Sequence, residues 1–146
     1  PRPSNILLTI GEIDCRLDDG IIPHKNKYPE KHIEDIVCDT IIGYLSYVVG
    51  CNFPFQHRII IQGIPCPNIE TTHHKEQDIA LLIDVVRMFN RTLENEAKRR
   101  NFDFLNTHNL TDKGDGFSNS MWHIDNFHLS PEGFLQAWND YASTSR

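Results

Sequence analysis

Short apolar runs that end at glycine alternate along this chain with long amphipathic stretches. Residues 5–10 (Asn-Ile-Leu-Leu-Thr-Ile) end at Gly11, and residues 58–62 (Arg-Ile-Ile-Ile-Gln) end at Gly63. Uninterrupted apolar runs of this length, rich in β-branched residues, are typical of strands buried on both faces of a parallel sheet. A third short run at residues 102–105 predicts a third strand.

Between these strands, apolar residues recur at helical spacing. They do so over residues 31–49, which end at Gly50, and over residues 76–100, which end in a basic turn. A last helix is predicted over residues 131–141, with Ser130 as its cap. The order β-α-β-α-β-loop-α predicts an α/β fold with a parallel sheet and helices packed on its faces.

The length of the chain limits the number of domains, and its charge excludes some classes of partner. A chain of 146 residues predicts a single α/β domain, or the C-terminal part of one. The net charge of −6, from 14 basic and 20 acidic residues, argues against nucleic acid as a partner. We also expect no membrane partner, because no apolar run approaches the roughly 20 residues that span a bilayer.

Cysteine and histidine spacing indicates neither a metal site nor a disulfide framework. The cysteines form no CxxC pair, and the 8 histidines include no HExxH pattern. The sequence therefore predicts free thiols, no metal and no cofactor. The cysteines are Cys15, Cys38, Cys51 and Cys66.

The sharpest local pattern lies just before the last predicted helix, where residues 125–133 read Asp-Asn-Phe-His-Leu-Ser-Pro-Glu-Gly. An Asp and a His at this spacing meet when the turn between them is tight. The carboxylate then accepts from Nδ1 and leaves Nε2 free as a general base. We predict Asp125 and His128 as a catalytic pair. The alternative is a plain capping segment in which His128 has no chemical role.

A second cluster of polar residues, at positions 11–16, directly follows the first strand, where ligands bind in parallel α/β folds. Glycine lets a backbone N–H approach a developing oxyanion, and two acids with an arginine can orient a polar ligand. Gly11, Glu12, Asp14 and Arg16 are therefore predicted to bind the oxyanion or substrate. Alternatively, Arg16 pairs with one of the two acids and only stiffens the loop.

Together the two segments resemble blocks of the SGNH/GDSL hydrolase superfamily. Residues 11–14 (Gly-Glu-Ile-Asp) are similar to its Gly-x-Asn-Asp block, in the Gly-Glu-x-Asp variant of the sialate acetylesterase-like branch, and residues 125–128 are similar to its Asp-x-x-His block. The resemblance implies a three-layer α/β/α, flavodoxin-like fold. It also implies hydrolysis of a small-molecule or glycan ester, in particular an acetyl ester of a carbohydrate, with His128 as general base and Asp125 as its orienting acid. A carbohydrate O-acyltransferase would use the same residues.

Two departures from that family matter. Its Gly-Asp-Ser nucleophile block has no counterpart here, and Ile13 stands where its oxyanion asparagine would be. Because the predicted sheet is thin and the chain opens with Pro1 instead of Met, we expect a C-terminal portion of the fold. The rest of its own domain, or another chain, would then complete the sheet and supply the serine.

Two further possibilities follow from the absent nucleophile. Cys15 and Cys66, each near a strand end, are the remaining nucleophile candidates within the chain. The other possibility is a catalytically inactive SGNH-like module that binds a glycan or a protein within a larger assembly.

Overall fold

The predicted strands are present and lie parallel in a three-stranded sheet. The computed structural model describes residues 2–144, so Pro1, Ser145 and Arg146 lie outside the described residues. The strands are β1 (Asn5–Thr9), β2 (Arg58–Gln62) and β3 (Asp103–Leu105), and the helices are α1 (Ile21–Lys27), α2 (Ile33–Asn52), α3 (Glu76–Arg99), α4 (Thr107–Thr111) and α5 (Pro131–Thr144). A short 3-10 turn spans Thr71–His73. Within residues 2–144, no helix combines the length and apolar character needed to cross a membrane.

The strand order is β1-β2-β3, so β2 is the central strand and the other two form the edges. Leu7 of β1 lies opposite Ile60 of β2, and Ile61 lies opposite Phe104 of β3. As expected for a central strand covered on both faces, the isoleucines of β2 are at most 3% exposed.

Alternate side chains of β2 face two different helical layers. Ile59 and Ile61 belong to a core shared with α1, α2 and α3. Ile60 belongs to a second core on the opposite face, which it shares with Leu105 and with Ala137 of α5. Helices therefore cover both faces of the sheet, and the predicted three-layer α/β/α arrangement is confirmed.

Two short helices lie in segments that the sequence pattern predicts as loops. The seven-residue α1 interrupts the polar stretch after β1, and its Ile21 and Ile22 are 2% and 3% exposed. The five-residue α4 follows β3, and the side chain of Asn106 caps it by accepting the N–H of Asn109 at 3.0 Å. Helices this short are not stable alone, so tertiary packing decides whether they form.

The last helix begins where the sequence places it. Ser130 Oγ accepts the N–H of Gly133 at 3.0 Å, and Pro131 occupies the first helical position. Gly133 also lets α5 approach the loop before it, because a Cβ at this position would lie 2.8 Å from the carbonyl oxygen of Trp122. This close contact holds that loop against the start of the helix.

Candidate active site

The two segments predicted to carry chemistry lie far apart in the chain but line one cleft. The cleft has a volume of about 760 Å³ and opens where β1 and β2 end. Residues 11–14, which follow β1, contribute to its lining, as do Phe127 and His128 from the loop before α5. The parallel order of the strands brings these segments together, since the carboxyl ends of parallel strands share one edge.

The side chains of Asp125 and His128 are in contact, as their spacing predicts, and their catalytic role stays a prediction. Asp125 Oδ2 lies 2.7 Å from His128 Nδ1, and Oδ1 accepts the backbone N–H groups of Phe127 at 2.8 Å and of His128 at 2.7 Å. These three hydrogen bonds lower the pKa of Asp125 to about 2, with the Phe127 N–H contributing most. An ionised carboxylate only accepts, so Nδ1 carries the hydrogen and Nε2 of the neutral ring has a free lone pair.

Backbone hydrogen bonds give the loop that carries this pair a defined shape. The N–H of Ile124 donates to the carbonyl of His128 at 3.0 Å, and the N–H of Ser130 donates to the carbonyl of Trp122 at 2.7 Å. Asn68, in the segment after β2, donates through its side chain to the Asp125 carbonyl at 3.1 Å. The imidazole is 57% exposed, so a substrate can reach it.

Gly11 occupies a position that no other residue suits. Its φ of +89° lies in the left-handed region, and a Cβ there would lie 2.3 Å from the ring of Phe89. The chain therefore turns sharply out of β1 and stays close to α3. This turn places the buried backbone of Gly11 in the cleft, as an oxyanion role requires.

The side chain of Arg16 makes its hydrogen bonds within the molecule. Its guanidinium donates two hydrogen bonds of 2.8 Å to the carboxylate of Glu12, which raises the pKa of Arg16. The same guanidinium lies over the ring of Phe127, 4.3 Å from its centroid. Glu12 lines the cleft but Arg16 does not. This is the pairing that the sequence left open as an alternative, and a direct substrate contact by Arg16 stays a prediction.

Asp14 also has a partner, and it comes from a helix. The hydroxyl of Tyr44 on α2 donates to Asp14 Oδ2 at 2.7 Å. Burial, together with this carboxylate, raises the pKa of Tyr44 to about 12. Tyr44 lies within the stretch at residues 31–49 where apolar residues recur at helical spacing, yet it lines the cleft and is 37% exposed. No sequence signal indicated this pair, because its members are separated by a whole helix and loop.

Ile13 gives the mouth of the cleft an apolar character. It is 60% exposed, and Ile124, in the loop that carries Asp125 and His128, is 66% exposed; both line the cleft. An isoleucine side chain donates no hydrogen bond, so any oxyanion donors here must come from elsewhere.

The two cysteines considered as nucleophiles are unsuited to that role. Cys15 is 4% exposed and Cys66 is 1% exposed. Burial raises the pKa of Cys66 to about 12 and that of Cys15 well above its usual range. Since the thiolate is the reactive form, neither side chain is an accessible nucleophile.

A second serine–histidine contact exists but is buried. Ser118 Oγ lies 2.8 Å from His123 Nδ1, and the serine is 6% exposed. Its oxygen also accepts the N–H of Ser120 at 2.9 Å. Among residues 2–144, no serine hydroxyl is hydrogen-bonded to the ring of His128. The described residues therefore hold Asp125 and His128 together without a serine hydroxyl bonded to the imidazole.

Comparison with known proteins supports the fold. The sequence matches no protein-family profile and no curated protein. A solved GDSL-like lipase from Bacteroides thetaiotaomicron VPI-5482 is similar in structure, with a TM-score of 0.55 and 16% sequence identity. The match covers 77% of this chain and 51% of the lipase, so the chain spans about half the length of that protein. At this identity the likeness concerns the fold alone: both proteins have a flavodoxin-like α/β fold with a parallel sheet, and the sheet of this chain is small.

Proposed function

We propose that this chain supplies the acid–base half of an SGNH/GDSL-type ester hydrolase site. One observation carries the proposal: His128, oriented by Asp125 at 2.7 Å, opens onto the same cleft as Gly11 at the end of β1. A histidine with its Nδ1 held by an ionised carboxylate is the arrangement that general-base catalysis requires. The substrate class that we propose is an acyl ester, in particular an acetyl group on a carbohydrate.

The chemistry assigns each group one task. His128 Nε2 removes the proton of a serine hydroxyl as its oxygen attacks the ester carbonyl carbon, and it then gives that proton to the departing alcohol. Water, deprotonated by His128, then attacks the acyl-serine, and the carboxylic acid leaves as the serine hydroxyl is restored. Asp125 stays ionised throughout and stabilises the transient imidazolium. Backbone at Gly11 lies in the cleft, where an N–H can face the oxyanion.

The open edge of β1 supports a serine supplied from outside the described residues. Within residues 2–144, β1 pairs with β2 only. Its apolar residues at positions 6–8 are only half-buried, and Asn5–Thr9 contains neither lysine nor proline. Strand edges without such residues readily pair with another strand. A parallel strand added here would end beside Gly11, so a serine that follows it would face His128.

A non-catalytic binding module is the second candidate function. Two observations favour it: no serine among residues 2–144 is bonded to the His128 ring, and Ile13 offers no donor to an oxyanion. In that case the apolar cleft would hold a glycan or peptide without turning it over. The two candidates differ in whether a serine reacts in a manner that depends on His128.

The test uses the native assembly that contains this chain, treated with a serine-reactive fluorophosphonate probe. We expect labelling of one serine outside residues 1–146, located by mass spectrometry, and loss of that labelling in His128→Ala. His73→Ala is the matched control, because the side chain of His73 is 78% exposed and remote from the described cleft. Turnover of p-nitrophenyl acetate should fall with the labelling.

Two results would overturn the proposal that this chain supplies only the acid–base half of a hydrolase site. One is labelling or turnover that His128→Ala leaves unchanged while circular dichroism shows a folded protein. The other is full turnover by the isolated 146-residue chain, because the nucleophile would then lie within the chain.

A further inference from the structure

Three potential metal ligands converge at one place outside the cleft lining. Cys66 lies in the segment after β2, His108 lies on α4, and Asp112 directly follows α4. One ligand atom from each side chain lies within 4.8 Å of the other two. Cys66 is 1% exposed and His108 is 9% exposed, so the cluster is largely shielded from solvent.

The His108 ring supplies an independent sign of a missing ligand. Its Nε2 is buried and has no hydrogen-bond partner within residues 2–144. Buried polar atoms in proteins are nearly always satisfied, and leaving a buried nitrogen without a partner is unfavourable. A cation bound at this cluster would coordinate the lone pair of this nitrogen.

The other two side chains also have free coordination capacity. Cys66 Sγ donates a weak hydrogen bond of 3.6 Å to the carbonyl oxygen of His108, and the Thr111 side chain also acts on this thiol, so the sulfur has only weak partners to give up. Asp112 Oδ1 accepts the backbone N–H groups of Gly114 at 2.7 Å and Gly116 at 2.9 Å. Its Oδ2 accepts no hydrogen bond from residues 2–144. Asp112 is therefore held in position while one oxygen remains free.

We propose that Cys66, His108 and Asp112 bind a Zn²⁺ ion. A thiolate, an imidazole and a carboxylate form a ligand set suited to this borderline-soft ion, and three protein ligands leave the fourth position to water. Tetrahedral zinc, with Zn–S of about 2.3 Å and Zn–N of about 2.0 Å, places its ligand atoms roughly 3.3–3.8 Å apart. Side-chain rotations that draw the three atoms about 1 Å closer complete the site. The thiol proton leaves to solvent when the Zn–S bond forms.

Charge is consistent with a divalent ion. The thiolate and the carboxylate supply two negative charges, which neutralise Zn²⁺. Arg87 on α3 is close enough for its positive charge to act on all three side chains. Its guanidinium packs against Gly116, where a Cβ would lie 2.9 Å from one of its nitrogens. Either a zinc ion or the Arg87 guanidinium could therefore balance the negative charge of this cluster. Measuring metal binding distinguishes the two possibilities.

The zinc site would join two segments that lead to the candidate active site, the one after β2 and the one after α4. The N–H of Cys66 donates to Thr111 Oγ1 at 2.9 Å, and the N–H of Ser118 donates to the carbonyl of Pro67 at 2.9 Å. A zinc ion would cross-link the same two regions, the segment after β2 and the start of the long loop before α5. The proposal concerns metal binding alone, and its outcome is independent of ester hydrolysis.

The test is metal binding by the purified chain. Protein stripped with a chelator is dialysed against Zn²⁺ and analysed for bound metal, and a second sample receives Co²⁺ as a spectroscopic probe. We expect one zinc per chain, a zinc-dependent rise in Tm, and a Co²⁺ spectrum with tetrahedral d–d bands and a thiolate-to-cobalt charge-transfer band. Less than half an equivalent of zinc, or a Co²⁺ spectrum without the charge-transfer band, would overturn the proposal.

Variants separate this site from adventitious binding. Cys66→Ser should remove the charge-transfer band and weaken zinc binding by about a hundredfold or more. Asp112→Asn keeps the oxygen that accepts from Gly114, so it should fold while binding zinc at least about tenfold more weakly. The exposed Cys51 provides the control, since Cys51→Ser should change neither the charge-transfer band nor the zinc affinity. Zinc affinity unchanged in Asp112→Asn would refute the site even if Cys66→Ser failed to fold.

Discussion

The guanidinium of Arg16 lies 4.3 Å from the centroid of the Phe127 ring and is held in place by two hydrogen bonds to Glu12. Arg16 belongs to the segment that leaves β1, whereas Phe127 lies between the two members of the acid–base pair. The stacking therefore connects the two halves of the candidate site directly. We expect this contact to align the loop that carries Asp125 and His128 with the cleft.

Replacing Arg16 by lysine should loosen this connection. Lysine keeps the charge but lacks the planar fork that serves Glu12 and the ring together, so Arg16→Lys should lower the free energy of unfolding by about 1 kcal/mol. Urea denaturation measures the change. Arg91→Lys, at an exposed position on α3, is the control and should have no effect. Equal effects of the two substitutions would contradict the connecting role.

Gly11 should not tolerate a side chain. Gly11→Ala adds a Cβ 2.3 Å from the Phe89 ring, at a φ of +89°, and should lower the free energy of unfolding by about 2–4 kcal/mol. Gly43→Ala is a matched control in α2, where a Cβ meets nothing within 4 Å. That substitution should stabilise the protein by about 0.5–1 kcal/mol through helix propensity. A neutral Gly11→Ala variant would show that the turn after β1 is not constrained.

Acid should weaken the fold partly through Asp125. Its pKa of about 2 lies below the value of about 3.9 in an unfolded chain, because the N–H of Phe127, the N–H of His128 and the His128 ring favour the ionised form. The resulting stabilisation is therefore complete above about pH 4 and is lost as the pH falls towards 2. The carboxyl ¹³C chemical shift of Asp125 in the folded protein should follow this titration.

Asp125→Asn is the matched variant for the acid titration. In this variant the free energy of unfolding should fall less steeply as the pH is lowered. Part of the fall should remain, because three other carboxyl groups also have lowered pKa values: Asp112, Asp115 and Glu96. An Asp125 titration midpoint near 3.9 in the folded wild-type protein would contradict the three hydrogen bonds.

The four thiols should react in order of exposure. Cys51 is exposed, Cys38 is intermediate, and Cys15 and Cys66 are buried with raised pKa values. Ellman's reagent at pH 8 should modify Cys51 first and Cys38 more slowly, and the two buried thiols only after denaturation. Cys51→Ser should remove the fast phase. Rapid modification of Cys15 or Cys66 in the native protein would argue for the reactive thiol that the structure opposes.

Much of the architecture followed from local patterns. The run of three isoleucines in β2 and the glycine after it predicted a buried parallel strand, because side chains that face two helical layers must all be apolar. Asp125 and His128 could be paired from the sequence since only two residues separate them, and a tight turn brings their side chains together. Local periodicity could not reveal α1, because seven residues with a proline form a helix only when Ile21 and Ile22 are buried.

By itself, the sequence determined the order of strands and long helices, the cap at Ser130 and the contact between Asp125 and His128, since each depends on residues within a few positions of one another. Only the tertiary structure brought Tyr44 to Asp14, Arg16 to Phe127, and Cys66 to His108 and Asp112. These contacts join segments on different elements, so their geometry is set by how helices and loops pack around the sheet. No short-range pattern in the chain encodes that packing.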